Sequence, residues 1–335
     1  MEFADLIEAA RAPLSIADTK ALFDAIFDGR LSETEIIAYL SATADRKPTV
    51  EELIGAVTAM RGHMRPVTAP ANAIDLCGTG GDGLGTLNIS TAVSFVVAAC
   101  GVPVAKHGNR SASSRSGAAD VLEALGVRIG LEPEAATRVL AETGIVFLFA
   151  QTHHPAMKHV GAARKAIGRR TIFNLLGPLA SPARVTRQLV GVFSADWLEP
   201  YAQALIALGS ESAWIVHGRD GLDEMSIGGP TQVAMVENGA ITIAEIVPED
   251  AGLRRWPLAQ VTGGDAIHNA DALRMLLEGE GYGAYRDIVL LNAAAALIVA
   301  GKAVNLREGA QMAHAAIRSG QAHAKFNNLV VASNA

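Results

Sequence analysis

The chain has 335 residues, 50% apolar and 19% charged, enough for a sizeable core and roughly two domains at about 150 residues each. Lys plus Arg number 28 against 34 Asp plus Glu, a formal charge of −6 that argues against broad nucleic-acid binding. Cys77 and Cys100 form no CxxC or Cys/His cluster, the first residues carry no signal-like basic and apolar stretch, and the greasiest window, 288–300, is too short to span a bilayer. A cytoplasmic protein with no membrane partner is expected.

Residues 1–70 read as a small all-helical domain. Ser15 with Asp18, Ser32 with Glu35 and Thr49 with Glu52 mark three helix starts, where a hydroxyl accepts from a free amide and an acid favours the positive end. Apolar residues follow at helical spacing: Leu22, Phe23, Ile26 and Phe27, then Ile36, Ile37 and Leu40, then Leu53, Ile54, Val57 and Met60. Pro66 and Pro70 end the pattern.

From residue 71 onward short apolar runs alternate with helical patterns. Strands are expected at 73–77, 102–106, 145–150, 187–193 and 212–217, and helices at 90–100, 116–125, 132–143 and 197–208. That alternation predicts an α/β fold, a mostly parallel sheet flanked by helices. Asn238-Gly239 between two alternating stretches predicts a hairpin over 232–246, one antiparallel element in the sheet. The tail from 271 reads as helical. The large domain is therefore 71–152 plus 187–335, and the helical stretch of about 153–186, rich in Arg and Pro, joins the N-terminal helices. Thr262-Gly263-Gly264-Asp265 echoes Thr79-Gly80-Gly81-Asp82; nothing else is shared around the two, so the echo reads as coincidence and Asp265 as a helix N-cap.

Charge is unevenly placed. No Asp or Glu occurs over 83–119, which carries Lys106, Arg110 and Arg115. None occurs over 143–195 either, where Lys158, Arg164, Lys165, Arg169, Arg170, Arg184 and Arg187 lie. Acid-free, cationic segments in an acidic protein suggest a pocket for a multiply charged anion. Leading into the first segment is the glycine-rich run Gly78-Thr79-Gly80-Gly81-Asp82-Gly83-Leu84-Gly85, followed by Asn88, Ser90 and Thr91 at a helix start. Glycines let backbone amides approach a phosphate, and the helix end favours its charge. Gly78, Gly80 and Gly83 also satisfy GxGxxG, but the acid that a dinucleotide fold places about 20 residues on is missing. Lys106 to Gly117 adds cations and hydroxyls at the end of the second strand, and Asp223-Glu224 supplies adjacent hard oxygen ligands suited to Mg²⁺. His153, His154 and His159 lack metal-binding spacing; His154 reads as a pocket wall or hydrogen-bond donor.

GTGGDG, NIST, KHGNRSASSRSG, HHPAMKHV, RTIFNLLGPL and HGRDGLDE occur in the order found in the anthranilate phosphoribosyltransferase family, which the sequence resembles over nearly its whole length. The resemblance implies a helical domain beside an α/β domain, a homodimer formed through the helical domain, and Mg²⁺-dependent transfer of phosphoribosyl from phosphoribosyl pyrophosphate to anthranilate. By position, Gly78, Gly81, Asp82, Thr86, Asn88, Ser90 and Thr91, with the run Lys106, His107, Gly108, Asn109, Arg110, Ser111, Ala112, Ser113 and Ser114, would hold phosphoribosyl pyrophosphate. Ser90 with Glu224, and Asp223 with Glu224, would hold two Mg²⁺ ions. Gly78, Asn109 and Arg164 would contact anthranilate, with His107, His154 and Pro178 lining its channel. The resemblance names no general acid or base. Ala118 departs from the family's usual serine at the phosphoribosyl ligand, and Arg115 from its common lysine; loss of the hydroxyl predicts weaker affinity rather than lost chemistry, with Ser116 placed to compensate. Two rivals stay open: a pyrimidine nucleoside phosphorylase of the same architecture, and a paralogue with another acceptor or a nucleic-acid role.

Overall fold

Seven strands form one sheet in the order β3-β2-β1-β4-β5-β6-β7. The strands are β1 (Ile74–Leu76), β2 (Val104–Gly108), β3 (Ile145–Phe149), β4 (Arg187–Gly191), β5 (Ser212–Gly218), β6 (Thr231–Glu237) and β7 (Ala240–Ile246). This computed structural model describes residues 3–110 and 115–335. The first five strands are parallel, while β6 and β7 are antiparallel to their neighbours. Asn238 at φ 51° and Gly239 at φ 78° turn the β6–β7 hairpin, the left-handed pair that a two-residue connection requires. The chain winds outward from β1 through β2 to β3, then crosses back to β4 on the other side of β1. Loops leaving β1 and β4 therefore diverge, and their carboxyl ends open a crevice at the switch point.

Strand β2 starts two residues later than the sequence pattern suggests. Pro103 has no amide to give the ladder, so only its carbonyl takes part, accepting from Ile74. The ladder instead runs through Lys106, His107 and Gly108, paired with Phe147, Leu148 and Phe149 of β3. Lys106 and His107 thus stand on a rigid strand rather than on a loop.

Alternation along the strands divides the core. Leu189, Trp214 and Val216 face one buried cluster, built with helices Ile89–Ala99, Ala284–Val299, Leu306–Arg318 and Gln321–Asn334. Val190, Val192, Ile215, Ala234 and Val236 face the other cluster, with helix Leu198–Ala207 and the N-terminal helices Ile16–Phe27, Glu33–Thr43 and Val50–Gly62. Val160, Ala163, Ile172, Phe173 and Leu175 pack into that second cluster too. The three helix starts carry their caps: Ser15, Ser32 and Thr49 accept from the amides of Asp18, Glu35 and Glu52. Glu52 does more than cap. It is 1% exposed and also accepts from the Leu14 amide and from Arg46, fastening the segment before helix Ile16–Phe27 to helix Val50–Gly62.

Candidate active site

The glycine loop leaves β1 pressed against the end of β4. A Cβ on Gly78 would lie 3.1 Å from the Gly191 carbonyl and 3.4 Å from Asp223 Oδ2, so a side chain there would press the β4 end and the acidic turn apart by a few tenths of an ångström. Thr79 donates its amide to the Gly191 carbonyl at 2.8 Å, and its hydroxyl accepts from Phe193 N at 3.1 Å. Gly80, Gly81, Gly83 and Gly85 all hold positive φ, and Asp82 Oδ1 accepts from Leu84 N within the loop. Arg170, lying 4.2 Å above the Phe193 ring, donates to the Gly81 carbonyl.

Helix Ile89–Ala99 begins beside the acidic turn. Ser90 N donates to Glu224 Oε1 at 3.1 Å, while Lys106 Nζ donates to Ser90 Oγ at 3.1 Å and to the Leu76 carbonyl. Asn292 clamps the turn from behind, its Oδ1 accepting from Met225 N and its Nδ2 donating to the Met225 carbonyl, both at 2.9 Å. Burial pushes the Glu224 carboxyl up to about 7 against the pull of Lys106. Burial, then the charges of Asp82 and Glu224, holds the Asp223 carboxyl well above the usual carboxylate range. Buried carboxylates this close are costly when ionised, and a divalent cation with oxygen preference is the group that their donor set fits. Ser90 Oγ is the further oxygen at hand.

A neutral wall adjoins these charges. His107 donates through Nδ1 to the Gly177 carbonyl at 3.1 Å, and its ring lies 5.1 Å from that of His154. Burial lowers the His107 pKa well below its usual value and takes His154 down to about 4, so both rings are uncharged at neutral pH. Next along the 177–180 segment, the Pro178 carbonyl accepts from Gln188 on β4. Arg164 lies half-buried over Phe173 with no salt bridge among the described residues.

Several expected residues sit elsewhere or act through others. Arg110 is already occupied, its guanidinium held by Asp120 at 2.8 Å and Glu123 at 2.9 Å. Asn109 accepts from Arg110 N through its side chain and from Ala119 N through its carbonyl, shaping the turn. Ala118 opens helix Ala118–Ala124, and a Cβ on Gly108 would lie 3.6 Å from its methyl, while Ser116 is buried nearby. Thr91 is buried under the helix start. Ser111, Ala112, Ser113 and Ser114 lie outside the described residues. Thr86, expected at the ligand, forms an isolated bridge with Thr262. That contact makes the second Thr-Gly-Gly-Asp more than an echo: it packs on the first loop, and Asp265 caps its helix through His268 N. Asp75, Asn269 and Asn292 were not singled out by the sequence, and Arg170 only as one of seven cations in an acid-free run. Asp75 had a signal, an acid inside a buried strand; its Oδ1 accepts from His107 N at 2.9 Å, and burial raises its carboxyl to about 7. The others matter only through contacts distant in sequence.

Residues 70–323 match the glycosyl transferase family, a/b domain, and residues 5–64 match that family's helical bundle domain. A class that moves sugar groups is consistent with a crevice of glycine amides, buried carboxylates and a buried lysine. The anthranilate phosphoribosyltransferase of Methylocella silvestris is 55% identical over 97% of this chain and 93% of its own, and one from Rhodopseudomonas palustris is 56% identical over 98% and 96%. Among solved structures, the Thermus thermophilus enzyme superposes with a TM-score of 0.93 at 40% identity, covering 99% of this chain and all of its own. The Saccharomyces cerevisiae enzyme, solved with PRPP and Mg, reaches 0.90 at 27% identity over 99% and 98%. The chain belongs to the anthranilate phosphoribosyltransferase family. Among the described residues no helix is long and apolar enough to cross a membrane.

Proposed function

We propose that the crevice between the β1 and β4 ends transfers the phosphoribosyl group of phosphoribosyl pyrophosphate to the amine of anthranilate, a step of tryptophan biosynthesis. The observation that carries this is the buried Asp223-Glu224 pair, hydrogen-bonded to the start of the helix that follows the glycine loop. Asp223, Glu224 and Ser90 would hold Mg²⁺, two ions if Ser90 with Glu224 takes one and Asp223 with Glu224 the other. When bound, the metal supplies positive charge to the departing diphosphate.

The chain's own groups then divide the work. Amides of the glycine loop and the end of helix Ile89–Ala99 grip the phosphates, and Lys106 adds a fixed ammonium. Arg164 takes the anthranilate carboxylate, and the uncharged His107 and His154 rings give its aromatic ring a neutral wall without competing for the carboxylate. The ribosyl C1–O bond breaks with its electron pair going to diphosphate. The amine nitrogen forms the new bond to C1 and afterwards sheds a proton. No side chain is assigned as its base, because positioning and electrostatics carry the rate.

Two unpaired cysteines, Cys77 and Cys100, support a reducing compartment, the cytoplasm. The homodimer through the helical unit rests on the family resemblance, and light scattering in solution tests it. Calorimetry tests the site itself. Phosphoribosyl pyrophosphate should bind with Mg²⁺ present and lose at least about tenfold in affinity in EDTA or in Asp223→Asn/Glu224→Gln. Equal binding under all three conditions removes the assignment, and phosphorolysis of uridine or thymidine would replace it with the nucleoside phosphorylase reading.

A further inference from the structure

Beyond the residues that would touch the ligand, the 261–269 segment is built against the far limb of the glycine loop. Leu87 N donates to the Val261 carbonyl at 2.9 Å and Gly263 N to the Gly85 carbonyl at 2.8 Å, on either side of the Thr86–Thr262 bridge. A Cβ on Gly263 would lie 2.6 Å from the Thr86 carbonyl oxygen and 2.9 Å from Leu87 N, both backbone atoms, so only glycine permits this approach. Asn269 completes the brace. It is 2% exposed, on the first turn of helix Ala266–Leu277.

Hydrogen-bond direction fixes how Asn269 sits. Gly264 N can only donate, so the Asn269 atom 2.7 Å away is its Oδ1. Its Nδ2 therefore faces Asn88, and the Asn88 atom 2.8 Å away must be the acceptor, Oδ1. Asn88 stands at the start of helix Ile89–Ala99 and makes no side-chain cap bond. Its own Nδ2 has no partner among the described residues and remains for a ligand.

We infer that Asn269 and Gly263 are positioning residues: they hold the 85–88 limb in place and lock the Asn88 amide so that its NH₂, not its carbonyl, faces the phosphates. This rests on the proposed binding of phosphoribosyl pyrophosphate in the crevice. Asn269→Asp keeps the acceptor for Gly264 N and removes the donor, so Asn88 must rotate its NH₂ toward the new carboxylate and turn its Oδ1 to the phosphates.

The test is a steady-state comparison of wild type, Asn269→Asp, Asn88→Ala and the double variant. Asn269→Asp should raise KM for phosphoribosyl pyrophosphate about tenfold, the weight of one charge-assisted hydrogen bond, with KM for anthranilate unchanged. The double variant should bind no worse than Asn88→Ala, because Asn269 acts through Asn88. An unchanged KM for phosphoribosyl pyrophosphate in Asn269→Asp, or additive losses in the double variant, overturns the inference. Hydrogen exchange of Gly263→Ala separates this from the reaction itself. Amides of 85–88 exchanging at least about tenfold faster support the brace even where wild type fails to consume anthranilate, and unchanged exchange refutes it.

Discussion

Replacing Gly191 with alanine strikes the site through its backbone alone. The added Cβ would stand 1.6 Å from the Asp223 carbonyl oxygen and 2.6 Å from its carbon. Ordinary contact begins at 3.4 Å, so one backbone must retreat by about 1.8 Å. Neither is free to do so. Gly191 is laddered to Val216 and accepts from Thr79 N, while the acidic turn is held by Asn292 at Met225 and by the Leu222 carbonyl, which accepts from Gly218 N. Overpacking of this kind costs about 3 kcal/mol, the upper part of its usual range because no flexible side chain can yield. Whatever movement occurs stretches the 3.1 Å bond between Ser90 N and Glu224, and misplacing binding groups by about 1 Å costs roughly 100-fold in rate. Urea melts and kcat/KM for phosphoribosyl pyrophosphate with Mg²⁺ measure both effects. Gly62→Ala is the control: its Cβ meets nothing within 4 Å and should be neutral or slightly stabilising. If Gly191→Ala matched Gly62→Ala in stability and rate, the close packing of the acidic turn on β4 would be refuted.

Three further outcomes follow from the same geometry. Asp75 holds its proton more tightly when folded, its carboxyl being raised from 3.8 to about 7, so its contribution to stability is complete below about pH 4 and lost as pH rises through about 7. Up to about 4 kcal/mol is at stake at 1.36 per pKa unit, so wild type should lose stability relative to Asp75→Asn between about pH 4 and 7 and level off above that; parallel urea midpoints across that range would contradict the burial assigned to Asp75. Arg46→Met strands Glu52, which is 1% exposed, and should cost about 3 kcal/mol, the low end for a broken buried pair because the Arg46 side chain retains 20% exposure; an unchanged melt would show that water reaches Glu52. Arg164→Ala should raise KM for anthranilate about tenfold and leave that for phosphoribosyl pyrophosphate alone, and the reverse pattern would place Arg164 on the wrong substrate.

What could be read from the sequence was local. Caps, the Asn238-Gly239 hairpin and the glycine loop each announce themselves within a few residues, because turn chemistry and helix ends depend on neighbours in the chain. Arg110 shows where such reading stops. The acid-free run ends at Ala119, and the next helix places Asp120 and Glu123 three apart on one face, where they capture the guanidinium that the run seemed to leave for a ligand. The second Thr-Gly-Gly-Asp looked accidental because its meaning is a contact between Thr262 and Thr86, which only the tertiary fold creates. Asn292 is of the same kind: it breaks an apolar helix in sequence, and in space it clamps the turn that carries Asp223 and Glu224.

Product formation tests the central claim most directly. Purified protein, phosphoribosyl pyrophosphate, Mg²⁺ and anthranilate are mixed, loss of anthranilate fluorescence is followed, and the product is weighed by mass spectrometry. The crevice described here predicts consumption that needs metal, yields phosphoribosylated anthranilate with one diphosphate released per turnover, and disappears in Asp223→Asn/Glu224→Gln. Folded protein that leaves anthranilate untouched, or a double variant that turns over like wild type, would contradict it.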